Sequence, residues 1–234
     1  MNRLGFKPEE AAEKILDISK LDRVEIEGIF SHYATADEDD LSYSKTQFAI
    51  FKDLIEQIKH IGLNPPYIHI SNSASIVNFQ DDISTAIRPG IILYGIVPFK
   101  TKKASFKPVM SLYSKIASVS TYKENTPISY ARSYYTKSER TIATVCAGYA
   151  DGYFRALSNK SEVYVNGERA HCVGTICMDM FMIDVTHIDN VKKSDKVELF
   201  GQNISAEEIA RLASTIPYEV LCSVRKRVKR EYIK

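Results

Sequence analysis

The sequence predicts an α/β unit followed by a mostly β domain, and three observations carry that expectation. Helical and strand patterns alternate from residue 1 to about 100 at the spacing of βα units. The apolar period then changes to short runs rich in β-branched and aromatic residues. Between the two lies a Lys-rich, Pro-flanked connection, Pro98-Phe99-Lys100-Thr101-Lys102-Lys103, which places a boundary near 101–108 and divides the chain into 1–104 and 105–234.

The first element is a helix near 8–20. Pro8 suits its first turn, Glu9 and Glu10 complement the positive helix end, and Ala11, Ala12, Ile15 and Leu16 share one face. A strand follows, in which Val24, Ile26, Gly28 and Phe30 occupy the apolar register against Glu25 and Glu27, before the polar run from Thr35 to Asp40. Ser42 is the expected cap of a longer helix with Phe48, Phe51, Ile55 and Ile58 pointing inward. Pro65-Pro66 breaks the chain, and the apolar runs Tyr67–Ile70 and Ile83–Ile87 read as strands with polar or Gly-containing turns at their ends.

In the second half the expected strands are Met110–Ser120, Thr141–Ala147, Val163–Val165, Arg169–Val173, Phe181–Val185 and Val197–Phe200, with Asn166-Gly167 as a turn signal. One helix interrupts them. Ser205 and Glu208 form a capping box, Ile204 staples onto Ile209, and Leu212 and Ala213 extend the buried stripe.

Composition narrows the function. The chain has 234 residues, 44% hydrophobic, enough for packed cores and incompatible with intrinsic disorder. Lys and Arg number 31 against 29 Asp and Glu, a net charge of +2, so no global field points to nucleic acid or an anionic membrane. A small-molecule partner is expected. The basic tail Arg225-Lys226-Arg227-Val228-Lys229-Arg230 has no aromatic stacking platform or recognised binding motif beside it, so it does not point to nucleic acid. Four scattered cysteines without a CxxC pair suit a reducing cytoplasm, and no apolar run reaches the ~20 residues of a membrane span.

Several stretches carry chemistry. Gly90, in Arg88-Pro89-Gly90-Ile91, lets backbone N–H groups approach an anion, and Ser73 opens a helix after the preceding strand, where a hydroxyl also favours phosphate. Each feature alone is more often an ordinary turn or cap; two in succession are harder to dismiss. Tyrosine and glycine concentrate in Ile128–Tyr135 and Ala147–Tyr153, although a lone Tyr in a strand mostly packs. With no His beside it, Cys177 is expected to be buried rather than nucleophilic. His60 and His187 read as surface residues, whereas His32, at a strand end, is the histidine placed to matter.

Together the motifs resemble the alanine racemase family, pyridoxal-phosphate enzymes built from a (β/α)8 TIM barrel and a C-terminal β domain. The match runs from Met1-Asn2-Arg3-Leu4-Gly5 through Ser31-His32-Tyr33-Ala34-Thr35-Ala36, Asn72-Ser73-Ala74, Arg88-Pro89-Gly90-Ile91-Ile92-Leu93-Tyr94-Gly95, Ser129-Tyr130, Gly148-Tyr149-Ala150-Asp151-Gly152 and Ile176-Cys177-Met178-Asp179 to Tyr218-Glu219 and Arg227-Val228-Lys229-Arg230. The resemblance implies interconversion of L- and D-alanine by two bases. Tyr130 would be one base, supplied to the active site of a partner subunit in a homodimer. His32 would meet Tyr130 and Arg88, and Arg88 would face the cofactor's pyridine nitrogen. Ser73, Gly90, Ile91 and Tyr218 would hold the phosphate, and Arg3, the Met178 backbone N–H and Tyr149 the substrate. No metal is implied.

The resemblance also implies a second base, the lysine that binds pyridoxal phosphate covalently, on a first barrel strand that matches nothing here. Only about three strand signals precede the β half, where a closed barrel has eight. The expectation is therefore a partial TIM barrel, C-terminal strands and helices only, in a truncated chain inactive by itself. Two alternatives stay open: a non-catalytic fragment that folds or dimerises through its β domain, and a racemase for serine or another amino acid. Ala131 stands where the family usually has Gly, Thr175 where Arg is common and Met180 where Gln is common; these departures bear on substrate choice more than on reaction type.

Overall fold

The computed structural model describes residues 1–97 and 106–233. They fall into two compact units, Met1–Lys107 and Pro108–Lys234. Most of the connection that carries the expected boundary lies outside the described residues.

In the first unit, α1 (Pro8–Ser19) starts with Pro8, and the Glu10 carboxylate accepts the Lys7 backbone N–H at 3.3 Å. Strand β1 (Gly28–Phe30) pairs in parallel with β2 (Tyr67–His69), Ile29 opposite Ile68 and Phe30 opposite His69. Helix α2 (Ser42–His60) lies between them in sequence, and α3 (Ser73–Asn78) follows β2. Ile15, Ile29, Phe51, Ile55, Ile58, Ile68 and Ile70 form one buried cluster between strands and helices.

Three expectations need correction here. The inward residue of β1 is Ile29, and Phe30 is 64% exposed. A strand covered by helices on one face uses both faces, so Phe30 and Gly28 mark the other one, where Phe30 stacks on His69. Ile83–Ile87 is not a strand. The Thr85 and Ala86 N–H groups both donate to Ile68 O, while the Thr85 hydroxyl accepts the Ile68 N–H at 2.9 Å; a side chain thus replaces the ladder acceptor. Ser42 is the first helical residue and not the cap, because the Asp40 carboxylate accepts both its N–H and its hydroxyl.

The second unit is built on a closed antiparallel barrel. Its strands are β3 (Leu112–Tyr122), β6 (Arg140–Val145), β7 (Glu162–Val165), β8 (Glu168–Val173), β9 (Phe181–Asp184) and β10 (Lys196–Phe200), in the order β10-β3-β6-β9-β8-β7 with β10 closing on β7. Alternate residues point inward, as Phe181 and Ile183 do on β9 and Val163 and Val165 on β7. A small hairpin, β4 (Pro127–Ile128) and β5 (Tyr134–Tyr135), stands apart from the barrel ladder. Helices α4 (Ala206–Ala213) and α5 (Pro217–Ser223) follow. Ser205 caps α4 through Glu208 N–H, but the expected box is half formed: the Glu208 carboxylate binds Arg169 at 3.0 Å instead. Helix α5 carried no sequence signal singled out above. Among the described residues no helix is long and apolar enough to cross a membrane.

Candidate functional site

Arg88 organises the polar end of the first unit. Its guanidinium donates to Ser31 O at 2.7 Å, His69 O at 3.2 Å and Ile70 O at 3.4 Å, all at the C-terminal ends of β1 and β2. It also meets the Nδ1 of His32 at 3.0 Å and the Nδ1 of His69, and its Cζ lies 5.5 Å from the Phe30 ring centre. A permanent cation beside two imidazoles disfavours the protonation of both. Burial first, then the Arg88 charge, holds His32 and His69 below the ordinary histidine value, and Arg3 adds to the effect on His32. Burial also lowers Arg88 itself.

Two residues of this cluster escaped the sequence reading. His69 stands at the end of the apolar run Tyr67–Ile70, the same kind of strand-end position that marked His32. Gln47, on α2, accepts Ala34 N–H at 2.9 Å and donates to His32 O at 3.2 Å, bracketing the backbone that carries His32. Nothing local in the sequence marks that contact.

Ser73 and Gly90 do come together. The Gly90 N–H donates to the buried Ser73 hydroxyl at 2.7 Å, and a Cβ at Gly90 would sit 3.5 Å from the same oxygen. Asn72 is the cap of α3, accepting the N–H groups of Ala74 and Ser75. Ile91 is buried directly after the turn, and Arg3 is exposed.

The second unit presents Tyr130 at the tip of the β4–β5 hairpin, 72% exposed. Tyr149 and Met178 lie on two loops that bind each other: Tyr149 N–H donates to Cys177 O at 3.1 Å and Ala150 N–H to Met178 O at 2.9 Å. Asp151 locks the first loop, accepting Gly148 N–H and pairing with Arg227 Nε, each at 3.0 Å. Tyr218 stands partly exposed in the first turn of α5. Cys177 is half-buried rather than buried. Its thiol donates to Thr175 O at 3.5 Å and meets the Ser129 hydroxyl at 3.8 Å, while the enclosed thiol is that of Cys172, which burial pushes up to about 12.

A parallel α/β unit with an Arg–His cluster at its strand ends, joined to an antiparallel barrel that displays a tyrosine, defines a two-domain enzyme-like class with the chemistry at strand termini. Comparison with known proteins makes the class specific. The profile described as "Alanine racemase, C-terminal domain" matches residues 109–232, and that described as "Alanine racemase, N-terminal domain" matches residues 1–98. The chain belongs to the alanine racemase family. It is 43% identical over 244 residues to the alanine racemase of Geobacter sulfurreducens, a match covering 100% of this chain and 64% of that protein. Among solved structures it is similar to alanine racemase of Clostridium difficile 630, with a TM-score of 0.92 and 38% identity over 97% of this chain and 61% of that one. It is also similar to the Bartonella henselae alanine racemase with covalently bound pyridoxal phosphate, with a TM-score of 0.88 and 34% identity over 100% of this chain and 64% of that one. The first unit is accordingly part of the family's α/β barrel, and the chain spans a little under two thirds of the length of these relatives.

Proposed function

We propose that this chain supplies most of the active-site side chains of a pyridoxal-phosphate racemase that interconverts L- and D-alanine. The observation that carries the reading is the Arg88 guanidinium, set between His32 and His69 at the ends of two parallel strands. The cofactor's presence in the Bartonella relative supports it.

The residues present fit the cofactor's chemistry. Ser73, Gly90 and Ile91, with Tyr218, would hold its phosphate: the buried Ser73 hydroxyl and the Cβ-free Gly90 backbone already meet, a turn in which N–H and O–H donors stand close together. When bound, pyridoxal phosphate acidifies the Cα–H of an attached amino acid. Arg88 stays protonated and offers donors only, so toward the pyridine nitrogen it acts as a hydrogen-bond donor that does not give up its proton. This restrains electron withdrawal and favours return of the proton over side reactions.

Tyr130 takes the proton from one face of Cα at its phenolic oxygen and returns it in the reverse direction. With its Nδ1 turned to Arg88, His32 has its Nε2 left to hydrogen-bond the phenolic oxygen when the two face each other. The exposure of Tyr130 supports its delivery to the site of a second copy in a homodimer, where it works opposite the partner's His32. Arg3, the Met178 N–H and Tyr149 orient the substrate carboxylate. The opposing base and cofactor-binding lysine belong, on this reading, to the part of the relatives outside the match. Four free thiols support a reducing, cytoplasmic setting.

The test joins this chain to the portion of the Geobacter relative outside the match and follows D-alanine formation from L-alanine. Tyr130→Phe is expected to lower kcat at least 100-fold, the scale of a lost general base. Racemisation at an undiminished rate would remove Tyr130 from the mechanism. Serine in place of alanine, at equal or higher kcat/KM, would replace the substrate assignment and leave the chemistry.

A further inference from the structure

The turn that carries Tyr130 is held in a conformation its own residues disfavour. Ser129 has φ 67° and ψ −176°, Ala131 φ 60° and Arg132 φ 49°, and none of them is glycine. Such backbone persists only where surrounding contacts over-determine it. The Tyr130 ring is too exposed to be fixed by packing, so what the structure holds in place is the main chain from which the phenol projects.

Those contacts converge on one residue. Thr175 is 7% exposed. Its hydroxyl donates to Tyr130 O at 3.1 Å and shares a hydrogen bond with the Ser133 hydroxyl at 2.9 Å. Its carbonyl accepts the Ser129 hydroxyl at 2.5 Å. Thr175 therefore grips the turn before, at and after the tyrosine. Within the turn itself the backbone closes through Arg132 N–H on Ser129 O at 3.2 Å. Asn159 braces the same assembly, donating to Ser133 O at 3.2 Å and accepting Gly174 N–H at 2.5 Å. A side chain at Gly174 is excluded, since its Cβ would lie 2.7 Å from that of Ser129.

We infer that Thr175 is a positioning residue for Tyr130: its hydroxyl holds the strained hairpin tip from which the phenol projects. The inference rests on the reading of Tyr130 as a proton-transferring group, but its structural half stands independently of that reading.

Thr175→Val and Thr175→Ala both remove the hydroxyl, one keeping the volume and one not, while Thr175→Ser keeps the hydroxyl. In this chain, amide hydrogen exchange at Arg132 is expected to rise about tenfold in both Val and Ala variants, with barrel amides unchanged and the Ser variant restored to the parent rate. In the joined racemase described above, the same pair should lower kcat about tenfold with KM within twofold, and Ser should rescue it. Unchanged exchange at Arg132, failure of Ser to rescue, or loss of protection throughout the barrel in both variants would overturn the inference, the last by making Thr175 a support of the barrel as a whole. If Tyr130→Phe leaves racemisation intact, the base assignment fails, while the exchange result still decides whether Thr175 holds the turn.

Discussion

Gly148→Ala tests the clamp between the Tyr149 and Met178 loops. A Cβ at Gly148 would lie 2.3 Å from Cys177 O and 2.5 Å from both C and O of Met178, all of them backbone atoms. Restoring ordinary contact at about 3.4 Å separates the loops by roughly 1 Å. Tyr149 N to Cys177 O then stretches from 3.1 Å, and Ala150 N to Met178 O from 2.9 Å, to about 4 Å, beyond hydrogen-bond range. Two lost hydrogen bonds at about 1 kcal/mol each, with about 1 kcal/mol of repacking, give a loss of about 3 kcal/mol. Urea unfolding followed through barrel amide signals should show the midpoint falling by about 1.5 M for a slope near 2 kcal/mol/M. Gly167→Ala is the control: φ is +91° there but nothing lies within 4 Å, so only the backbone cost of about 1 kcal/mol applies. A loss below about 0.5 kcal/mol in Gly148→Ala, with the Tyr149 and Ala150 amides still protected, would refute the reasoning.

Ala131→Gly relieves a left-handed alanine and should stabilise the hairpin by up to about 1 kcal/mol, read as slower exchange at Arg132; faster exchange would contradict it. His32 and His69 both titrate below the unfolded value of about 6.5, so below that pH the unfolded chain binds the extra protons. The stability of the first unit should be fully present above about pH 6.5 and decline as pH falls through the lowered values. Urea midpoints across pH 5–8, with the dependence weakened in His69→Gln, check this. A thiol reagent at pH 8 should label exposed Cys146 and Cys222 first and reach Cys172 only on unfolding, because that thiol is enclosed and raised to about 12; early modification of Cys172 in the folded chain would contradict its burial.

Elements whose pattern is local were legible in the sequence. The Phe51, Ile55 and Ile58 stripe marks α2, and Asn166-Gly167, both left-handed in the structure, marks the β7–β8 turn. What was hidden depends on residues far apart in the chain. The Thr85 hydroxyl that takes the place of a strand lies 17 residues from Ile68, Gln47 lies 15 from His32, and Thr175 lies 46 from Ser129. Polar side chains that serve another segment's backbone leave no periodic trace where they stand. The register of β1 failed differently: an α/β strand has two useful faces, and alternation alone does not tell the helix-covered face from the one bearing Phe30 and His69.

The seam of the β barrel sets an order on synthesis. Its first strand, β3, begins at Leu112, yet one of its two neighbours is β10, at Lys196–Phe200. On the ribosome β3 waits for more than eighty residues of translation before its β10 partner exists and the ring can shut. Closure of the ring is thus a non-local event that comes late in the folding of this unit, only once Phe200 has emerged.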